Sequence, residues 1–300
     1  MSFINKALEK AKSLHRQKVK PDPAPSQASP PPPWPHVDKV AGFTETPGEI
    51  HYTYTRTVTV DMDRLRRNRL IVAGSDESLG EAYRLLRTHI LHATKQESRN
   101  TLMVTGPLAN EGKTLTTINL AIAISHKVGQ TVLLVDGDLR NPSVHRYLDL
   151  PAGPGLVDYL TSGHPIAESL VHPEGLANLV VLPAGRSTTR SVELLSSPRM
   201  VDLVRELKHF YPDRYVLFDL PPLLYADPLA FAPLVDGIIL VVEAGSTPRE
   251  EITRALETLQ EFPMLGCVLN KIDPVGLSYN YLQYYPDRDS QKKFNLPWLK

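Results

Sequence analysis

A chain of 300 residues can hold one large domain with appendages or two small domains, and 42% apolar content is enough to fill a sizeable core. Its 33 Lys and Arg balance 33 Asp and Glu, so no global charge points to nucleic acid. A single cysteine, Cys267, excludes an internal disulfide framework, and no apolar run approaches the roughly 20 residues of a membrane-spanning helix.

Residues 1–20 carry Phe3, Ile4, Ala7, Leu8, Ala11 and Leu14 at helical spacing, with Lys6, Lys10, Lys12, Arg16, Lys18 and Lys20 interleaved. Such a basic amphipathic helix can lie on an anionic membrane or dock on a partner; a solvated helix is the plain alternative. Residues 21–58 read as a disordered linker. Pro21, Pro23, Pro25, the run from Pro30 to Pro33, and Pro35 remove backbone donors and favour an extended spacer.

The pattern becomes globular over residues 59–275. Ser75 or Asp76 caps a helix carrying Leu79, Ala82, Leu85, Leu86 and Ile90. Residues 101–105 form a buried strand, 113–128 a helix closed by Gly129, and 131–136 the next strand. Further strands are expected at 179–182, 215–219, 237–242 and 266–269, with helices at 200–210 and 249–262. Continuous apolar strands alternating with helices predict an α/β domain, a doubly wound and mostly parallel sheet covered on both faces. Residues 276–300 form a tyrosine-containing tail.

The segment from Gly106 to Thr114 joins a predicted strand to a predicted helix and ends in Gly112-Lys113-Thr114, the context a phosphate-binding loop requires. Backbone N–H groups at the helix start face phosphates, Lys113 supplies a point charge, and the Thr114 hydroxyl suits Mg²⁺. Pro107 stands where the standard spacing has glycine. Asp136 and Asp138 follow one buried strand and Asp219 ends another. In an open parallel sheet, carboxylates at the strands' carboxyl ends lie where ligands bind and can organise a metal. Helix capping is their structural alternative.

Three segments resemble the bacterial tyrosine kinases, a P-loop family with Walker A, A′ and B motifs. They are the loop and helix from Val104 to Ala121, Asp136-x-Asp138-x-Arg140, and Asp219-Leu-Pro-Pro222. Within that family the N-terminal 11 residues and the segment from Pro142 to Leu148 resemble the exosortase-associated autokinases of exopolysaccharide loci.

The resemblance implies ATP and Mg²⁺, with Lys113, Asp136, Asp138 and Asp219 catalytic. Thr114, Asp136 and Asp219 would hold the metal, and Gly106, Asn110, Glu111, Gly112, Lys113, Thr114, Leu115, Arg140 and Asn270 the nucleotide. It implies ring assembly through Glu81, Arg84 and Arg87, which otherwise read as a solvated charged stripe. It also implies phosphorylation in trans of Tyr279, Tyr281, Tyr284 and Tyr285, a cluster shorter than the family's long tyrosine runs. A separate inner-membrane activator of the polysaccharide co-polymerase type, a homo-oligomer, and a cytoplasmic, membrane-peripheral location complete the expectation.

Two alternatives share the fold. A partitioning-type ATPase carries a lysine early in its loop, but positions 108 to 111 are Leu, Ala, Asn and Glu. Asn270-Lys271-Ile272-Asp273 matches a guanine-reading pattern, yet Asp219 is followed by Leu-Pro-Pro and not by the spacing of a γ-phosphate switch. A non-enzymatic, ATP-gated assembly partner is the third class.

Overall fold

The computed structural model describes residues 55–95, 99–127, 129–210 and 214–272. The N-terminal helix, most of the proline-rich linker, Asp273 and the four tail tyrosines lie outside the described residues.

Eight strands form one sheet in the order β1-β4-β5-β3-β6-β2-β7-β8. They are β1 Arg56–Val58, β2 Thr101–Thr105, β3 Thr131–Asp136, β4 Val171–Pro173, β5 Leu179–Leu182, β6 Arg214–Asp219, β7 Gly237–Glu243 and β8 Met264–Asn270. Every pairing is parallel except β4 with β5. The central strands are apolar at successive positions and buried on both faces, as a parallel sheet sandwiched by helices demands. β1 lies within the segment expected as linker, so the sheet starts before residue 59.

Three helices matter for the site. After α1 (Met62–Arg67), α2 (Glu77–Thr94) is capped by Asp76, whose carboxylate accepts from the Ser78 and Leu79 amides, as the sequence predicts. α3 (Lys113–Ser125) follows β2 and is buried nearly all round, so its pattern lacks a polar face. It ends at His126, before the expected Gly129 stop, with the His126 amide bonded to the Ile122 carbonyl. Tyr83, Ile90, Ile118 and Ile122 pack with Leu102, Val104, Val132 and Leu134 in one apolar core. Phe218 and Phe231 are both fully buried, their ring centroids 4.7 Å apart at 58°.

The chain leaves β2 through α3 toward β3 on one side, while β7 lies on the other. β6 fits between β2 and β3, so the carboxyl ends of three strands converge beside the start of α3. Among the described residues no helix is long and apolar enough to cross a membrane.

Candidate active site

Gly106 closes β2 under steric compulsion: a Cβ there would lie 2.5 Å from both the Glu111 carboxylate and the Val241 carbonyl. Gly112, at φ +88°, delivers the chain into α3; a Cβ on it would lie 2.1 Å from Asn270 Nδ2. α3 begins with no side-chain cap and no acidic residue in its first turn. Its first N–H groups and its dipole are therefore available to an anion.

The loop is braced from within and from the far side of the sheet. Glu111 is buried; its Oε2 accepts from the Leu108 amide at 2.8 Å and its Oε1 from Thr247 Oγ1 at 2.7 Å. Asn270 Nδ2 donates to the Glu111 carbonyl at 2.8 Å, and Lys271 Nζ to the Asn110 carbonyl at 2.7 Å. Lys113 is buried and donates to the Leu108 carbonyl at 2.6 Å. Burial pulls its ammonium below the ordinary lysine value, while Glu111, Asp219 and Asp138 act in the other direction. Leu115 packs against the core beneath the loop.

Strand register assembles the carboxylates. Asp219 lies beside Asp136 across the β3–β6 pair and beside Val104 across β2–β6. Asp219 is fully buried and accepts from Thr114 Oγ1 at 2.6 Å and Thr117 Oγ1 at 3.2 Å. Burial pushes its carboxyl up to about 7. Asp136 is also fully buried; its Oδ2 accepts from the Ser143 and Val144 amides at 3.1 Å. Its Oδ1 has no hydrogen-bond partner among the described residues. Burial first, and then the Asp219 charge, hold Asp136 well above the usual carboxylate range. Asp138 is partly buried at the mouth, accepts from the Asn141 amide at 3.0 Å, and is raised chiefly by burial.

An undonated oxygen on a buried carboxylate, a second buried carboxylate and a threonine hydroxyl make a hard-oxygen donor set suited to Mg²⁺. Among the described residues no three His, Cys, Asp or Glu side chains could alone hold a metal. Two carboxylates and one hydroxyl leave coordination positions for water and phosphate oxygens, which Mg²⁺ habitually keeps.

The structure brings together the predicted Gly106, Asn110, Glu111, Gly112, Lys113, Thr114, Asp136, Asp138, Asp219 and Asn270 around one loop. Arg140 stands beside this set, its backbone amide donating to the Asp138 carboxylate. Its Nε donates to Asp227 at 2.9 Å and its guanidinium lies 4.8 Å from the Tyr225 ring centroid. The stripe on α2 also divides. Arg84 pairs with Glu81 on its own helix at 2.5 Å, whereas Arg87 donates to the Ala123 carbonyl near the end of α3 at 3.0 Å.

Sequence reading misses Thr117, Ser143, Thr247 and Asp227. Thr117 lies three residues beyond Thr114 on one helical face, a usable signal. Ser143, whose hydroxyl donates to Thr114 Oγ1 at 3.2 Å, and Asp227 are brought in only by the folded chain.

No protein-family model matches the sequence. The tyrosine-protein kinase YwqD of Bacillus subtilis (strain 168) is 33% identical over 210 residues, covering 69% of this chain and 87% of that protein. The tyrosine-protein kinase wzc of Salmonella typhi is 31% identical over 226 residues, 74% of this chain but 31% of that longer protein. Among solved structures, the kinase domain of the Escherichia coli tyrosine kinase ETK superposes with a TM-score of 0.61 at 29% identity, covering 67% of this chain and 80% of that domain. With the strand-end carboxylates and the phosphate loop in place, these likenesses make the chain a member of the bacterial tyrosine-protein kinase family.

Proposed function

We propose that this chain is an autokinase that transfers the γ-phosphoryl group of ATP to tyrosine, with Tyr279, Tyr281, Tyr284 and Tyr285 of a neighbouring copy as acceptors. Its role is in exopolysaccharide synthesis and export, and an inner-membrane protein of the polysaccharide co-polymerase type activates it. The observation that carries the reading is the convergence of Lys113, Thr114, Asp136 and Asp219 at the carboxyl ends of three parallel strands, with Asp138 beside them at the mouth.

In this reading the α3 N-terminus and Lys113 bind the phosphates. Thr114, Asp136 and Asp219 would hold Mg²⁺, which when bound neutralises charge on the β- and γ-phosphates. The bond from the γ-phosphorus to the bridging oxygen breaks, with its electron pair leaving on ADP, and a bond from the phenolic oxygen to phosphorus forms. The phenolic proton passes to the Asp138 carboxylate, whose proton affinity burial raises. An ordinary tyrosine has a pKa near 10, so at neutral pH the acceptor arrives protonated and needs such a base. Asn270 gives its amide N–H to the Glu111 carbonyl and keeps Oδ1 as an acceptor, which suits the exocyclic amino group of adenine.

Intact mass after incubation with Mg-ATP tests this, beside Lys113→Ala and a Tyr279/Tyr281/Tyr284/Tyr285→Phe variant. Phosphate on the wild type and on neither variant is expected. Wild type that stays unmodified even with its activator, although it binds ATP, would leave an ATPase and remove the kinase reading.

A further inference from the structure

Asp227 is fully buried, yet it serves none of the loop, metal or strand contacts above. One of its oxygens accepts from Arg140 Nε at 2.9 Å; the other has no partner among the described residues. Burying a carboxylate with an undonated oxygen is costly, and among the described residues the Arg140 guanidinium is the ion partner that offsets it. That guanidinium also lies 4.8 Å from the Tyr225 ring centroid. The side chain is thus gripped at Nε by a charge and across its face by a ring, an orientation a lysine could not adopt. Its two terminal amino groups donate to no described residue, and its side chain stays 32% exposed. The pair sits beside the mouth: Asp227 is among the charges acting on Asp138, and the Arg140 amide donates to that same carboxylate.

We propose that Arg140 is a cis-acting cation for the phosphoryl group in transit, and that Asp227 and Tyr225 are the positioning residues that aim it. This rests on the phosphoryl-transfer reading of the site. In the transfer written above, charge spreads over the three equatorial oxygens of the moving group, and the free N–H groups of Arg140 meet it there.

The test compares wild type with Asp227→Asn, Arg140→Lys, Tyr225→Phe and Tyr225→Ala. Two readouts are used: the affinity for Mg-ADP with and without aluminium fluoride, which mimics the moving phosphoryl group, and kcat against KM for ATP in autophosphorylation. Expected is a loss of about 10- to 100-fold in the aluminium-fluoride enhancement and in kcat for Asp227→Asn and Arg140→Lys, with ADP affinity and KM within about twofold. Tyr225→Phe keeps the ring and stays near wild type; Tyr225→Ala loses several-fold. A rise in KM and a loss of ADP affinity at unchanged kcat would overturn the proposal in favour of ground-state nucleotide binding, and wild-type behaviour of Asp227→Asn would reduce the pair to packing. If wild type shows the fluoride enhancement but never phosphorylates tyrosine, the acceptor assignment falls while the arginine's role stands. If wild type shows neither, both fall.

Discussion

Two charged constellations of this chain look equally explicit on paper and turn out to be physically opposite. The loop and strand-end set, Lys113, Asp136 and Asp219, is buried, and backbone register holds it: Asp219 is paired with both Asp136 and Val104. The stripe of Glu81, Arg84 and Arg87 keeps its helical spacing, and within one copy its two arginines take different partners. Arg84 turns to its own helix, while Arg87 crosses to the Ala123 carbonyl and satisfies a helix-end acceptor of α3. Charges placed by a sheet are committed to one another by geometry. Charges placed by a solvated helix face choose partners by side-chain reach, and each choice is worth little.

The sharpest way to break that contrast is Lys113→Ala. The buried set predicts a loss of phosphate incorporation of about 1,000-fold or more, because the site's main point charge on the phosphates disappears. Intact-mass kinetics measure it, and a loss below about tenfold would make the lysine a structural brace for Leu108.

Asp219→Asn is next, and it separates function from stability. The folded-state carboxyl is raised from 3.8 to about 7, so between those values the native chain holds a proton that the unfolded chain has released. Stability in metal-free buffer is therefore fully present below about pH 4 and is lost as pH rises through about 7. Asp136, raised in the same direction, adds to the slope. The contribution of Asp219 amounts to as much as about 4 kcal/mol. Denaturant unfolding in chelator at pH 5 and pH 8 checks this: Asn should flatten much of the difference while abolishing phosphoryl transfer. An unchanged slope would mean that the aspartate is not protonated in the native state.

Gly112→Ala probes the loop's entry into α3. The left-handed φ and the close approach of Asn270 predict a loss of about 1–3 kcal/mol and a lower Tm, with weaker nucleotide binding in proportion. Binding that weakens with no change in Tm would place the strain in the bound loop instead.

The smallest effects belong to α2. Arg84→Ala removes an exposed pair within one helix and should cost under about 0.5 kcal/mol. Arg87→Ala strands a partly buried carbonyl and should cost about 1 kcal/mol. Sedimentation of both variants sharpens the comparison further. Dissociation of an assembly by Arg84→Ala at unchanged monomer stability would assign that arginine to a subunit contact, as the family resemblance implies.

The limits of β2, β3 and β5 are legible residue for residue, because a strand buried on both faces must be an unbroken apolar run. β1 and β4 are three residues each, shorter than the runs of four or more by which a strand is recognised, and β1 falls in a segment read as linker from its prolines. β8 is expected as a strand at 266–269 on its apolar run, yet among the described residues it has β7 alone beside it and leaves Leu269 exposed. An apolar run does not say whether a second neighbour will cover it. Gly106, Gly112, Lys113, Asp136 and Asp219 are legible for a similar reason: local chemistry at a strand end suffices to flag them. Asp227 is not. It sits 87 residues from Arg140 and resembles any acid that opens a short helix.

By itself, then, the sequence determined the alternation of strands and helices, the phosphate loop and the three strand-end carboxylates, since each is written in contiguous residues whose solvation needs are local. Only the tertiary structure decided which carboxylates lie side by side, that Asp136 keeps an undonated oxygen, and that Arg140 is gripped by Asp227 and Tyr225. Those are matters of strand order and chain crossing, and burial then sets the charge of every group they bring together.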